Sequence, residues 1–577
     1  MENAIRENKG VCTIPEMLER TASQFGDKTA LQIMRGERYE RTSYSEMLER
    51  VQLLACGLAR LGVQPKDRVG VWGENRPEWA ISYIGILTCG ATVVPLDALL
   101  KGREIRHILE DSETKVVIVS GKFVPDILEV VDTVAGIGQV VSMDDDVTYD
   151  RVLKWSQIIE DGRAHKQSFP KPSLEDLAAL IYTSGTTGKS KGVMLSQRNI
   201  MADVSSSYQV IHYDETDNFV SVLPLHHTFE CTGGFLVPIY GGATITYARS
   251  LKSRDIIEDI KQTKATVMLG VPLLFEKMYQ GVMRAIAKKP LVTRVLFRTS
   301  LGIVKSARAL FKARIGGKVF HGLREKAGLS SLRLMVSGGA PLPPYIAEGF
   351  NELGFHLFQG YGLTETSPVL TVNPEHRPIH ASVGQAIPGV ELKIIDPDEN
   401  GIGEIAARGD VVMMGYYNNP QATNEVFRDG WLLTGDSGRI DEEGYLYITG
   451  RLKNVIVTPA GKNIYPEEVE EVLNQSPYIL ESLVFGETVR NGQGEDVHAV
   501  IVPDYEYFDG VAEERGKEFS SREIEETIRG EVVRLCKTCA DYKRVKDFQI
   551  REEEFEKTST KKIKRFLFQQ KPVRVEE

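Results

Sequence analysis

The chain reads as an α/β protein: a large layered N-terminal region, a mostly β stretch inside it, and a small α+β domain at its C-terminal end. Three observations carry this reading. Short apolar runs alternate with helix-period segments from Val69 to Val336, the texture changes near Ser382 to short strands broken by turns, and a compact mixture of helix and strand patterns follows Arg451. At 577 residues the chain exceeds what one hydrophobic core spans, so several subdomains are expected.

The first clear element is an amphipathic helix. Met47, Val51, Leu54, Leu58 and Leu61 recur every three or four residues after a Ser43-x-x-Glu46 capping box, and Gly62 follows. The alternation then runs through Val69–Trp72, Trp79–Cys89, Thr92–Pro95, Ile105–Leu109 and Val116–Val119, and resumes at Val267–Leu269 and Leu332–Val336. The longest uncharged stretch, Ala80–Leu96, is interrupted by Ser82, Tyr83 and Thr88 and closes on Pro95, which suits a buried helix running into a buried strand better than a membrane span. Turns at Pro388-Gly389, Asp396-Pro397 and Asn400-Gly401 punctuate the β stretch over 382–450. The tail reads as a helix over Pro466–Leu473, strands near Leu483–Phe485 and Val497–Val502, and a helix from Ser521.

Composition is that of an ordinary globular protein, 42% hydrophobic and 26% charged, and a net charge of -10 argues against nucleic acid as a partner. Six scattered cysteines make no disulfide framework, and the polar start is no signal peptide, so a cytoplasmic location is expected. Cys536-Lys-Thr-Cys539 has no second Cys/His pair nearby and reads as structural rather than zinc-binding. The segment 284–326 carries twelve Lys/Arg against a single Glu325, interleaved with apolar residues. It reads first as a solvated helical face, and second as a basic amphipathic surface for peripheral contact with anionic lipid at the inner face of the membrane.

Between Tyr182 and Val193 the chain runs Tyr-Thr-Ser-Gly-Thr-Thr-Gly-Lys-Ser-Lys-Gly-Val. Such a loop suits a polyphosphate: Gly185, Gly188 and Gly192 allow close backbone approach, Thr183, Ser184, Thr186 and Thr187 donate hydrogen bonds, and Lys189 and Lys191 bring positive charge. A Walker A loop fails here, because Thr183 stands where its opening glycine belongs.

The stretch resembles the signature Tyr-Thr-Ser-Gly-Thr-Thr-Gly-x-Pro-Lys-Gly-Val of the adenylate-forming superfamily, departing only with Ser190 for Pro. Further motifs follow in that superfamily's order: Ser337-Gly-Gly339-Ala340-Pro341, Gln359-Gly360-Tyr361-Gly-Leu-Thr364-Glu365, Thr434-Gly-Asp436, Gly450-Arg451-Leu-Lys453 and a closing Glu556-Lys-Thr-Ser-Thr-Lys-Lys562-Ile. The last departs twice, with Glu556 for Pro and Lys561 for Gly. The resemblance spans nearly the whole chain and is strongest to bacterial long-chain fatty acyl-CoA synthetases, through Leu223-Pro-Leu-His-His227-Thr-Phe-Glu and the run from Lys453 to Pro466.

The resemblance implies ATP, Mg²⁺ and CoA with a fatty acid as the fourth partner, and a ligase that passes through an acyl-adenylate. It places Gly339, Ala340, Gln359, Gly360 and Tyr361 about the adenine, Thr364 near the α-phosphate, Thr183 and Glu365 on magnesium, Asp436 on the ribose and Arg451 on ribose or phosphate. His227 falls beside the acyl and α-phosphate site, with a structural histidine as the competing reading, and Lys562 becomes the catalytic lysine, with a simple basic tail competing. A hinge at Lys453 divides residues 1–452 from a mobile domain over 453–577, whose Gly461 loop faces the pantetheine arm of CoA. The apolar run Phe229–Tyr240 is a candidate acyl-channel wall. Competing readings are a fatty acyl-AMP ligase loading a carrier protein, a phosphotransferase releasing ADP, and a nucleotide sensor without catalysis. Acyl chain length and oligomeric state stay open.

Overall fold

The computed structural model describes residues 10–134, 136–183, 190–311, 313–459, 462–489, 494–558 and 562–568. Two compact units emerge, one built from Met1–Leu392 and Ala407–Leu432, the other from Lys393–Ala406 and Leu433–Glu577. Compactness therefore divides the chain inside the β-rich stretch, and Lys453 lies within the second unit.

The first unit is organised by two large sheets. One runs, strand beside strand, through Gln385–Ala386, Val369–Val372, His356–Gly362, Leu334–Ser337, Val267–Gly270, Asn218–Ser221, Thr244–Tyr247, Thr29–Arg35 and Arg38–Ser43. The other runs through Gly415–Tyr416, Lys191–Ser196, Leu177–Thr183, Thr92–Leu96, Arg68–Trp72, Val116–Val119, Gln139–Ser142 and Val152–Lys154. Their central strands are parallel and buried on both faces, which is why Val116–Val119 and Thr92–Leu96 are apolar without alternation.

Helix Pro77–Thr88 buries nearly every side chain, so its apolar residues surround it instead of forming a stripe, and the expected helix-to-strand reading of Ala80–Leu96 holds. Ser43 caps helix Tyr44–Arg60 reciprocally: its Oγ accepts from Glu46 N at 3.2 Å while Glu46 Oε2 accepts from Ser43 N at 2.7 Å. That helix packs on helix Trp155–Ala164 at glycine. A Cβ on Gly162 would stand 1.9 Å from Leu53 O, so two backbones meet where only hydrogen fits.

In the second unit a three-stranded sheet, Ile479–Thr488, Glu495–Pro503 and Asp547–Ile550, carries helices Pro466–Leu473 and Ser521–Cys536 over one core that includes Val469, Leu473, Val484, Ile501, Ile528 and Val532. The two helices and the first two strands are the elements expected from the tail pattern; strand Asp547–Ile550 is an addition to them. All six cysteines are free thiols, with Cys536 buried at the end of its helix and Cys539 partly exposed beyond it. Among the described residues no helix is long and apolar enough to cross a membrane.

Candidate active site

The glycine- and hydroxyl-rich loop is the tip of an antiparallel hairpin. Strands Leu177–Thr183 and Lys191–Ser196 pair down to Thr183 opposite Lys191, which puts one expected metal ligand and one expected cation at the two ends of the loop. Ser184, Gly185, Thr186, Thr187 and Gly188 lie outside the described residues. The end of the loop is held from below, where the Ser190 carbonyl stands 3.2 Å from His107 Nε2.

The strands of the other sheet bring their C-terminal ends to a second group. Leu334–Ser337 runs parallel to His356–Gly362 with Ser337 opposite Gln359, so the segment holding Gly339 and Ala340 emerges beside the one holding Gln359, Gly360 and Tyr361. Gln359 is buried, whereas Gly339, Ala340, Gly360, Tyr361, Thr364 and Glu365 are partly exposed. Gly338 shows why small residues stand here: a Cβ would come within 2.9 Å of the tip of the Phe229 ring. Thr364 and Glu365 occupy the single turn Thr364–Thr366, which is tied to the segment after His227 by the Thr232 hydroxyl donating to Ser367 O at 2.8 Å.

Glu365 is the centre of the arrangement. Its carbonyl accepts from Met413 N at 2.9 Å, and its carboxylate Oε1 accepts from the Tyr416 hydroxyl at 2.9 Å. The Lys191 ammonium stands 5.0 Å from the centre of the same tyrosine ring, within cation–π range. Tyr416 thereby joins the expected metal ligand to the expected cation. It is itself buried and fixed by strand pairing opposite Val193 and by its N–H donating to the Thr423 hydroxyl at 2.9 Å. Sequence reading missed it, because a tyrosine between Gly415 and Tyr417 carries no motif.

The two histidines part company. His226 is buried with Nε2 3.4 Å from Asp97, a structural pairing, while His227 is partly exposed and its Nδ1 accepts from Phe229 N at 3.3 Å. A backbone N–H pointing at Nδ1 puts the imidazole proton of a neutral ring on Nε2. The run after it begins as a π-helical turn, Phe229–Leu236, continuing as helix Val237–Gly241. Phe235 packs edge-on to Trp79 and Tyr83, so that side chain belongs to the core rather than to a channel. Burial pushes Glu230 in this turn up to about 8, with the Ser221 hydroxyl donating to it at 2.5 Å.

In the second unit Asp436 and Arg451 face each other on paired strands, Arg451 Nε donating to Asp436 Oδ1 at 2.7 Å. Asp436 is buried, and its strand is set by the Thr434 hydroxyl, which donates to Ile405 O and accepts from Asp436 N. Lys453 sits in the turn Leu452–Asn454; Gly461 lies outside the described residues. In the closing motif Lys557 is committed to ion pairs with Glu481 at 2.8 Å and Glu554 at 2.6 Å, while Lys562 is exposed, its N–H donating to the Thr558 hydroxyl at 3.2 Å. The segment is anchored just beyond by Arg565, which pairs with Glu470, and burial raises that carboxyl to about 7 against the opposing pull of the guanidinium.

The donor set suits magnesium. Thr183 and Glu365 offer hard oxygens, and among the described residues no group of three or more His, Cys, Asp or Glu could hold an ion by protein alone. An ion on these residues would complete its shell from water and a ligand's oxygens, as Mg²⁺ does when it binds one or two carboxylates together with phosphates.

Residues 18–417 match the model of the AMP-binding enzyme family. The long-chain-fatty-acid–CoA ligase FadD15 of Mycobacterium bovis is 32% identical over 500 residues, covering 82% of this chain and 79% of its own. A long-chain-fatty-acid–CoA ligase of Escherichia coli is 30% identical over 525 residues, covering 85% of each. A crystal structure of an anthranilate CoA ligase in complex with anthranoyl-AMP superposes with a TM-score of 0.78 over 98% of both chains at 23% identity. The matched residues take in the hairpin, the Glu365 turn and Tyr416, and the chain belongs to the AMP-binding enzyme family, among its adenylate-forming acyl-CoA ligases.

Proposed function

We propose that the protein is an AMP-forming fatty acid–CoA ligase acting on a long-chain acid, with ATP, Mg²⁺ and CoA. The observation that carries the reading is the chain Lys191, Tyr416, Glu365 beside the Thr183 end of the hairpin: one cation and two oxygen donors held in register where a triphosphate loop closes. The length of the acid is supported by the two relatives named as long-chain ligases and by the motif from Leu223 to Glu230.

In the first step a carboxylate oxygen bonds to the α-phosphorus and pyrophosphate leaves; in the second a thiol sulfur bonds to the acyl carbonyl carbon and AMP leaves. An anion meets a polyanion in the first step, so its barrier is electrostatic and positional. Lys191 and Lys562 supply cations, Tyr416 keeps Glu365 in place, Asp436 accepts from the ribose hydroxyls, and His227 offers its Nε2 proton near the acyl group. Thr183 and Glu365 would hold magnesium, which when bound would neutralise phosphate charge. No side chain becomes a covalent nucleophile.

The test is release of pyrophosphate and AMP over carboxylates of graded chain length, with Glu365→Ala as the companion. Long acids should give AMP and pyrophosphate with CoA consumed, and Glu365→Ala should lose pyrophosphate release while staying folded. ADP as product, or an unaffected Glu365→Ala, would overturn the reading; acyl-AMP that CoA cannot discharge would reassign the acceptor to a carrier protein.

A further inference from the structure

Helix Leu291–Phe311 leaves an apolar face uncovered. Its inner side is occupied, with Val304 buried and the Phe297 ring packed at a tilt against Phe320, centroids 5.4 Å apart. On the outer side Leu291, Val292, Val295, Leu296, Ile303 and Leu310 are 69, 80, 54, 65, 55 and 75% exposed. At 3.6 residues per turn these six, with Thr299, Gly302, Ser306 and Ala309 between them, share one sector of about 140°, and no charge falls inside it. Single exposed leucines are ordinary on a protein surface; a continuous face of them along six turns is not.

The border of that face is cationic. Arg294, Arg298 and Lys305 fall at about 300, 340 and 320° on the same wheel, in one row along its edge, and Arg284, Lys288 and Lys289 are exposed just before the helix begins. Across 284–326 twelve Lys/Arg stand against the single acid Glu325, in a chain whose net charge is -10. A second copy of the segment has only that one carboxylate to offer the row, whereas an anionic surface complements Arg294 and Arg298, Lys305 being paired with Glu352 at 3.4 Å. Four cations along the helix, Arg294, Arg298, Lys305 and Arg308, keep it from crossing a bilayer.

We propose that this helix lies in the plane of an anionic lipid surface, its apolar sector sunk among the acyl chains and its arginine row on the headgroups. The inference concerns a binding surface and holds whichever acid the enzyme activates. The full chain is tested for co-sedimentation with vesicles of phosphatidylglycerol and phosphatidylcholine against pure phosphatidylcholine. Binding to the anionic vesicles is expected at 0.01 M salt and should weaken toward 0.1 M, as the Debye length falls from about 30 to about 10 Å. Leu296→Glu with Ile303→Glu should weaken binding by about tenfold or more at either salt. Arg294→Gln with Arg298→Gln should weaken it by about fivefold per residue, chiefly at low salt. Both double variants should melt like the parent and release pyrophosphate normally with a short, water-soluble acid. Absence of binding at low salt, or equal binding by the Leu296→Glu, Ile303→Glu variant, overturns the proposal. A dimer that this variant dissociates, with no vesicle binding by the parent, also overturns it and assigns the face to a second copy.

Discussion

At the residue scale the site turns on one hydroxyl. The Tyr416 hydroxyl donates to Glu365 Oε1 at 2.9 Å in a partly buried setting, and hydrogen bonds to charged groups contribute roughly 1.5 to 3 kcal/mol. Tyr416→Phe keeps the ring under Lys191 and removes only that bond. Adenylate formation should fall by about tenfold or more, with the Mg²⁺ dependence shifted to higher concentration; an unchanged Mg²⁺ titration would deny Tyr416 this role. Two buried carboxyls set a pH dependence of their own. Burial raises Asp203 to about 8 despite the Val369 N–H at 2.5 Å and the Ser207 hydroxyl at 3.1 Å, and it raises Glu230 to about 8. A carboxyl whose folded value lies above its unfolded one holds its proton in the native state, so its contribution is fully present below about pH 4 and is lost as pH rises to about 8. Each group's slope approaches about 1.4 kcal/mol per pH unit across that window. Asp203→Asn should flatten the fall in denaturation free energy between pH 5 and pH 8 relative to the parent, measured by urea titration at each pH.

At the scale of elements, the helix pair Tyr44–Arg60 and Trp155–Ala164 depends on a contact that has no side chain in it. With 1.9 Å between a built Cβ at Gly162 and Leu53 O, Gly162→Ala must push the helices apart. Overpacking of this kind costs about 1 to 3 kcal/mol, occasionally more, and the partner here is backbone, which cannot rotate away. The urea midpoint of Gly162→Ala should drop accordingly, while alanine at Gly281, inside helix Pro272–Ala287 with nothing within 4 Å of its Cβ, should hold or raise it, since alanine is favoured over glycine in a helix by up to about 1 kcal/mol.

At the scale of the whole molecule the expected residues divide between the two units: Thr183, Lys191, His227 and Glu365 in the first, Asp436, Arg451 and Lys562 in the second. If the proposed chemistry is right, its two steps should be separable by mutation. Lys562→Ala should lose acyl-AMP formation steeply yet still make thioester from pre-formed acyl-AMP and CoA, and Gly461→Leu should form acyl-AMP but fail to transfer it. Equal loss of both steps in both folded variants would remove the assignment of separate roles.

The sequence by itself determined the layered α/β class, most elements and the family, because these rest on local periodicity and on motifs contiguous in the chain: Ser43-x-x-Glu46, the Thr183–Lys191 loop and Gln359–Glu365 are each legible within a dozen residues. It pointed to Asp436 as a ribose contact and to Arg451 as a ribose or phosphate contact; that the two pair with each other follows from strand register between Trp431–Ile440 and Leu446–Arg451. Only the tertiary structure decided that Tyr416 bridges Glu365 and Lys191, that His226 is structural while His227 is partly exposed, and that Lys557 pairs with Glu481 and Glu554. Helix Leu291–Phe311 reads from sequence first as a solvated face and second as a lipid-facing one, and what the structure adds is that Leu291, Val292, Val295, Leu296, Ile303 and Leu310 are exposed. In each case the deciding partner lies far along the chain or on another element, and a pattern that repeats every two or four residues carries no information about what a side chain will meet there.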